Sequence, residues 1–306
     1  MFGPSTVDPS GRAVLVTGAS SGLGRETVSS LRQAGFQVFA AVRKHEDAER
    51  LIAETGSTPL LLDVTDRDSI REAAARITDS VGERGLWGLV NNAGICVSAP
   101  LECVSPEQLR RQLDVNVVGQ LDVTQHVLPL LRTARGRIVN VTSGVGSVAV
   151  PFLGAYAAAQ FAKEGMSDAL RRELRPLGVD VSVVRPGSIM TPIWGKIAES
   201  GDRVFDRVPS GVAGLYREQF LRFLKMNEEQ AAASKTTPAD FARTVLAALT
   251  VTQPKTRYSV GNDALVVALL ARVLPDRLLD RQFRDVVGPP RTSGSGEHID
   301  SIDRVH

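Results

Sequence analysis

Short apolar runs recur along this 306-residue chain, and each is followed by a stretch whose apolar positions fall at helical spacing. AVLVTG (Ala13 to Gly18), QVFAAV (Gln37 to Val42), PLLLDV (Pro59 to Val64), LWGLVNNAG, RIVNVTS and DVSVVRPG are too continuously apolar for half-exposed strands. They read as strands buried on both faces. Helical spacing occupies Arg25 to Ala34, Asp47 to Glu54, Asp68 to Val81, Pro106 to Leu131 and Tyr156 to Leu174. The first of these stops at Gly35, a residue suited to ending a helix. A further helix begins near Pro238, and a late strand, TRYSVG, runs from Thr256 to Gly261. This alternation predicts an α/β fold, a doubly wound Rossmann-type parallel sheet with helices on both faces. No repeat or low-complexity linker interrupts residues 11–288, so a single domain is expected there. Residues 192–251 break the alternation; with Trp194, Phe205, Tyr216, Phe220 and Phe223 they read as an inserted helical flap. Residues 1–10 and 289–306 are polar and rich in Pro, Gly and Ser, and read as loose tails.

Charge and cysteine usage narrow the class. The net charge of +2, from 36 basic and 34 acidic residues, provides no overall field for nucleic acid. Cys96 and Cys103 are spaced for neither a C-x-x-C pair nor a zinc site, and they build no disulfide framework. A reducing, cytoplasmic setting is the corresponding expectation. The start of the chain lacks the apolar core of a signal peptide. The apolar run Ala264 to Leu270 falls far short of the roughly 20 residues that span a bilayer. It reads as a core or interface helix, and no transmembrane segment is expected.

The chemistry lies at the ends of the strands. TGASSGLG (Thr17 to Gly24) closes the first strand and opens a helix. Gly18, Gly22 and Gly24 permit close backbone approach, and the helix start offers free N–H groups and a positive dipole end to a pyrophosphate. At the end of the second strand Val42 is followed by Arg43 and Lys44, with no acid. An acid there would accept bonds from a ribose 2′-hydroxyl, whereas two cations suit a 2′-phosphate. NADP(H) is therefore the preferred cofactor and NAD(H) the second candidate.

With NNAG (Asn91 to Gly94), VTSGVGS (Val141 to Ser147) and AYAAAQFAKEG around Tyr156, the chain resembles the short-chain dehydrogenase/reductase family. Its wording is most similar to the retinol, hydroxysteroid and 3-hydroxybutyrate dehydrogenase branch. The resemblance implies that Gly18, Ser20, Ser21, Gly22, Leu23 and Gly24 line the cofactor. It places Asp63 and Val64 near the adenine and Asn91, Ala93 and Gly94 beside the adenosine ribose. Pro186, Gly187 and Thr191 fall at the nicotinamide amide. It also implies that Tyr156 is the proton donor or acceptor, that Ser143 orients the substrate oxygen, and that Asn116 supports a water in a proton relay. A small apolar secondary alcohol or carbonyl compound is the implied substrate. A homodimer or homotetramer is the implied assembly, paired through the helices near 106–131 and 156–174.

One position departs from that pattern. The family carries a lysine four residues after the tyrosine, and this chain carries Gln160. A cation one turn on would lower the tyrosine pKa; a neutral amide does not, though it still reaches a ribose hydroxyl. Lys163, the nearest cation further along, lies near the same face seven residues on; a solvated surface lysine is the main reading, and partial rescue of the missing charge is the alternative. On that reading Gln160→Lys is expected to raise turnover. Two functions follow from the sequence: an NADP-dependent oxidoreductase weakened by Gln160, or an NADP(H)-binding protein that acts without turnover as a sensor or partner subunit.

Overall fold

The computed structural model describes residues 5–288. Its first half alternates β1 (Ala13–Val16), α1 (Gly22–Gln33), β2 (Gln37–Val42), α2 (His45–Thr55), β3 (Thr58–Leu61), α3 (Arg67–Val81) and β4 (Gly88–Asn91). Then follow α4 (Pro106–Leu113), α5 (Gly119–Ala134), β5 (Arg137–Val141), α6 (Gly154–Leu174) and β6 (Asp180–Pro186). The remainder comprises α7 (Ile193–Phe205), α8 (Ser210–Ala233), α9 (Pro238–Thr250), β7 (Arg257–Val260), α10 (Asn262–Val273), α11 (Asp276–Gln282) and α12 (Arg284–Val287). All seven strands form one parallel sheet in the order β3-β2-β1-β4-β5-β6-β7. The order reverses between β1 and β4, and the carboxyl ends of those strands frame the crevice in which such sheets bind ligands.

Side-chain alternation along the strands divides the core into two layers. Val14 and Val16 of β1 pack with Val28 and Leu31 of α1 and with Phe241, Val245 and Leu249 of α9. Ala13 and Leu15 face the other way, toward Ile70 and Ile77 of α3, Val127 and Leu131 of α5 and Leu174 of α6. The helix expected over 106–131 is bent: a π-turn at Asp114–Val118 joins α4 to α5. Gly119 lets it pass close to Val64, since a Cβ there would run into the Val64 carbonyl.

The flap is smaller than its sequence signature. Helices α7 and α8 form a separate apolar cluster in which Phe205, Phe220 and Phe223 gather around Phe152. Helix α9, within the expected flap, instead belongs to the sheet-covering layer, because Phe241, Val245 and Leu249 fall on its buried face. Residues 5–7 are also not loose. Thr6 makes an antiparallel bridge to Val251, and the amides of Val7 and Thr252 bond the carbonyls of Thr250 and Ser5 at 2.7 and 2.9 Å. Residues 289–306, expected to form the second tail, lie outside the described residues.

A buried charge cluster ties α6 to the far strands. The Glu164 carboxylate accepts from Arg185 of β6 at 2.7 Å through both oxygens, from Arg257 of β7 at 3.1 Å and from Thr142 at 2.8 Å. Removing one partner of a buried pair leaves uncompensated charge, which costs more than the pair itself contributes. Glu164→Ala is expected to destabilise the protein by about 3–5 kcal/mol, read by chemical denaturation. A loss under about 1 kcal/mol would mean that water or a neighbour solvates the two guanidinium groups.

Candidate active site

The carboxyl ends of β1, β2, β4, β5 and β6 open into one cavity of about 790 Å³. Its floor on the β1 side is the glycine turn. Gly18 sits at φ +66, a left-handed conformation, and a Cβ on Gly24 would run into the Gly18 carbonyl. A web from the next strand braces this turn. Thr17 Oγ1 accepts from the amides of Asn92 and Ala93, both at 3.0 Å, and the Asn92 amide group donates to the carbonyls of Thr17 and Gly18 at 3.0 and 3.2 Å. The result is a rigid concave backbone at the start of α1, shaped for an anion.

Gly18, Ser20, Ser21, Gly22, Leu23, Gly24, Arg43, Asp63, Val64, Ala93 and Gly94 all line the cavity. So do Pro186, Gly187 and Thr191 after β6. Two expected members do not. Lys44 caps α2 and is exposed outside the lining, so only Arg43 of the cationic pair reaches the cavity. Asn91 has its side chain inside the protein, donating to Thr124 and Asn140 at 3.0 and 2.9 Å; its neighbour Asn92 takes the place at the rim. At Asp63, burial works to raise the carboxyl, but hydrogen bonds from Thr65 and the charges of Arg43 and Arg111 outweigh it and hold the pKa below its ordinary value.

The opposite wall carries the catalytic candidates. Ser143 follows β5, Asn116 lies in the π-turn, and Tyr156 and Gln160 are one turn apart on α6; all four line the cavity. Asn116 uses both side-chain groups on the backbone of Ile95, at 2.9 and 3.0 Å, and so anchors the loop after β4. Gln160 donates from Nε2 to the Tyr156 hydroxyl at 2.8 Å, while its Oε1 is buried without a partner. Burial raises the Tyr156 pKa above its ordinary value, and Cys96 adds to the rise. Hydrogen bonds from Ser143 and Gln160 act against it without cancelling it. The half-buried Cys96 thiol is pushed up to about 12 by desolvation.

Lys163 corrects the sequence expectation most sharply. It is 2% exposed, not a solvated surface lysine, and it belongs to the cavity lining. Its Nζ donates to the Asn91 carbonyl at the end of β4, at 3.1 Å. Asn92, Cys96, Arg111, Asp114 and Asp263 are further lining residues that pattern reading did not single out. Asp263 accepts from the amide of Ser188 at 2.6 Å and so fastens the loop after β6. Only the second asparagine of NNAG carried a visible signal, its adjacency to a strand end.

The flap roofs the remaining volume with apolar side chains: Ile193, Trp194, Ile197, Phe223 and Leu224, facing Val145 and Leu153. A glycine-braced anion turn, an apolar chamber and a serine–tyrosine pair thus share one space. A sequence signature described as short chain dehydrogenase matches residues 12–201. The chain belongs to the short-chain dehydrogenase family. A relative named 3-amino-tetrahydro-pyrrolizinone reductase, from Xenorhabdus hominickii, is 46% identical over 272 residues, spanning 89% of this chain and 94% of its own. Retinol dehydrogenase 16 of Homo sapiens is 37% identical over 273 residues, with 87% and 86% covered. A crystal structure of a short chain dehydrogenase from Burkholderia cenocepacia in complex with NADP superposes with a TM-score of 0.70 at 26% identity, covering 90% of this chain and 99% of that one. No helix among the described residues is long and apolar enough to cross a membrane.

Proposed function

We propose that this protein is an NADP(H)-dependent oxidoreductase that interconverts an apolar secondary alcohol and its carbonyl counterpart. The carrying observation is the single cavity in which a glycine-braced turn, Arg43, Tyr156 and an apolar roof meet. Three features fit a dinucleotide: the turn that a Cβ on Gly24 would fill, the amide-rich start of α1, and the unpaired acceptor of Gln160. Gly18 through Gly24 would hold the pyrophosphate, Arg43 the 2′-phosphate, and Asp63 and Val64 the adenine.

A bound nicotinamide supplies or accepts the hydride. The chain's own residues handle the proton. In reduction the Tyr156 hydroxyl donates a proton to the carbonyl oxygen as charge develops on it, and in oxidation it takes that proton back. The Ser143 hydroxyl holds the same oxygen against Tyr156. Gln160 holds the tyrosine hydroxyl in place through its amide. Ile193, Trp194, Ile197 and Phe223 exclude water and offer the substrate an apolar surface. Of the relatives' names, retinol dehydrogenase supports a largely apolar substrate, and 3-amino-tetrahydro-pyrrolizinone reductase supports reduction as one direction of the reaction.

A second reading has one observation in its favour. The group bonded to Tyr156 is a neutral amide, and the hydroxyl sits in surroundings that hold its proton. On this reading the protein binds NADP(H) without turnover, as a sensor or partner subunit.

NADPH is expected to bind at least several-fold more tightly than NADH, and Arg43→Asp to erase or reverse the preference. Equal affinities in the unaltered protein, by fluorescence titration, would remove Arg43 from this role. Across a panel of apolar alcohols and ketones, turnover with NADP(H) is expected, with a loss of at least about 100-fold in Tyr156→Phe. NADPH binding with no turnover on the whole panel would favour the second reading. Val118, at the end of the π-turn just before α5, and Phe161 on α6 are exposed and also support a two-fold pairing through these helices. Light scattering at micromolar concentration is expected to give a dimer or tetramer; a monomer contradicts it.

A further inference from the structure

We propose that Lys163 is the cation of this active site, supplying from two turns beyond Tyr156 the positive charge that Gln160 does not. The inference rests on the cofactor and hydride-transfer reading above. Tyr156, Gln160, Lys163 and Ser167 follow one another at steps of four, three and four, so they share one face of α6. Gln160, Lys163 and Ser167 are buried, and the first three of the four residues line or close the cavity wall. Helical side chains lean toward the N-terminus, which carries the Lys163 ammonium toward Tyr156 and not away from it.

The hydrogen bonds leave room for a ligand. An ammonium has three donors, and Lys163 Nζ has one acceptor among the described residues, the Asn91 carbonyl. Gln160 Oε1, one turn away, is a buried acceptor without a donor. Donors and an acceptor left free on one face of α6 suit the adjacent hydroxyls of a ribose. The amide of Gln160 meanwhile occupies the Tyr156 hydroxyl. Two tasks, holding the tyrosine and charging the site, are thereby divided between two side chains.

Burial lowers the Lys163 pKa to about 7, and the Glu164 carboxylate acts in the opposite direction. Glu164 is itself held by Arg185 and Arg257, so its charge is largely committed. Other ionisable groups facing this wall are Tyr156 on the same helix, Cys96 after β4, and Arg111 and Asp114 around the π-turn. Cofactor phosphates and ribose hydroxyls favour the ammonium over the amine, so NADPH binding raises the Lys163 pKa. The sign follows: binding takes up protons from about pH 7 upward, and affinity falls as pH rises through that window.

The test measures proton uptake on NADPH binding by calorimetry in buffers of different ionisation heat, together with kcat and KM. The unaltered protein is expected to take up protons between about pH 7 and 9, as the lowered lysine requires. Lys163→Met and Lys163→Gln are expected to abolish the uptake and to cut kcat at least about tenfold, with KM within about threefold. Lys163→Gln retains a donor for the Asn91 carbonyl without charge, so full activity in it would reduce Lys163 to a structural tie and overturn the inference. Exchanging the two side chains, Gln160→Lys with Lys163→Gln, is expected to restore at least about a third of the rate. Gln160→Lys alone sets a second cation beside the first and is expected to gain less than about threefold. A tenfold gain there would show that Lys163 does not charge the site. If the unaltered protein proves inert on every substrate, proton uptake alone decides: uptake lost in Lys163→Gln upholds the inference, and unchanged uptake defeats it. Failure to bind NADPH at all removes the cofactor reading and the inference with it.

Discussion

A closed ring of buried hydrogen bonds fixes the azimuth of α6 against the sheet, and the geometry of the site depends on it. Lys163 donates to the Asn91 carbonyl, the Asn91 amide to Asn140 Oδ1, the Asn140 amide to Ser167 at 2.8 Å, and Ser167 to the Lys163 carbonyl at 2.6 Å. Each of these polar groups would be costly to bury alone, and the ring gives each of them at least one partner. A helix residue advances by about 100° per position, so a register slip of one residue would break both links between α6 and the sheet, Lys163 to Asn91 and Asn140 to Ser167. It would also turn Tyr156 out of the cavity. The apolar contacts of α6 are too few to forbid that: its buried side chains are mainly alanines and polar groups, with Leu174 at the far end. Polar specificity, more than hydrophobic bulk, orients the catalytic wall.

The glycine turn answers the same need from the other side. Thr17 and Asn92 link β1 to β4 at the point where strand order reverses, so the glycine turn and the wall that carries Tyr156 share a common reference. Placement of Tyr156 opposite the turn then follows from two rigid attachments to β4, one through Asn92 and one through Asn91. Adjacent asparagines of one strand end, facing different ways, serve the two walls.

This explains what the sequence made legible. The inner parallel strands are buried on both faces, so their apolar runs are continuous and hard to mistake; the edge strands β3 and β7 are partly exposed, and all seven stand in the sheet. The glycine turn was readable because its conformation excludes side chains. Spacing alone does not say which of two neighbouring residues faces a cavity, and that defeated the reading at Asn91 and Lys44. Helix α9 was absorbed into the flap because amphipathic spacing is the same whether the covered surface is a sheet or another helix. Lys163 was misread for a related reason. Its position on the face of Tyr156 was visible, but lysines are almost never fully buried without a partner, and the partner is a backbone carbonyl that no sequence pattern marks.

The location of that lysine has an electrostatic consequence. A unit charge at about 4 Å and an effective dielectric of about 20 is worth roughly 4 kcal/mol, and its effect falls in inverse proportion to distance. Moving the charge back by one turn therefore sacrifices part of its effect on the tyrosine. Gln160 offsets part of the remainder by donating to the same hydroxyl. The deeper position has its own effect. A lysine one turn from the tyrosine would be charged by its nearness to ligand and solvent, whereas Lys163, enclosed by the sheet and lowered to about 7, sits near the midpoint of its own titration. Its charge then depends on what fills the cavity, since phosphates and ribose hydroxyls are the groups that favour its proton. In the proposed mechanism the separation of hydrogen bonding from charge would turn a permanent cation into one assembled together with the ligand, and the tyrosine would become a competent base only in that assembled state.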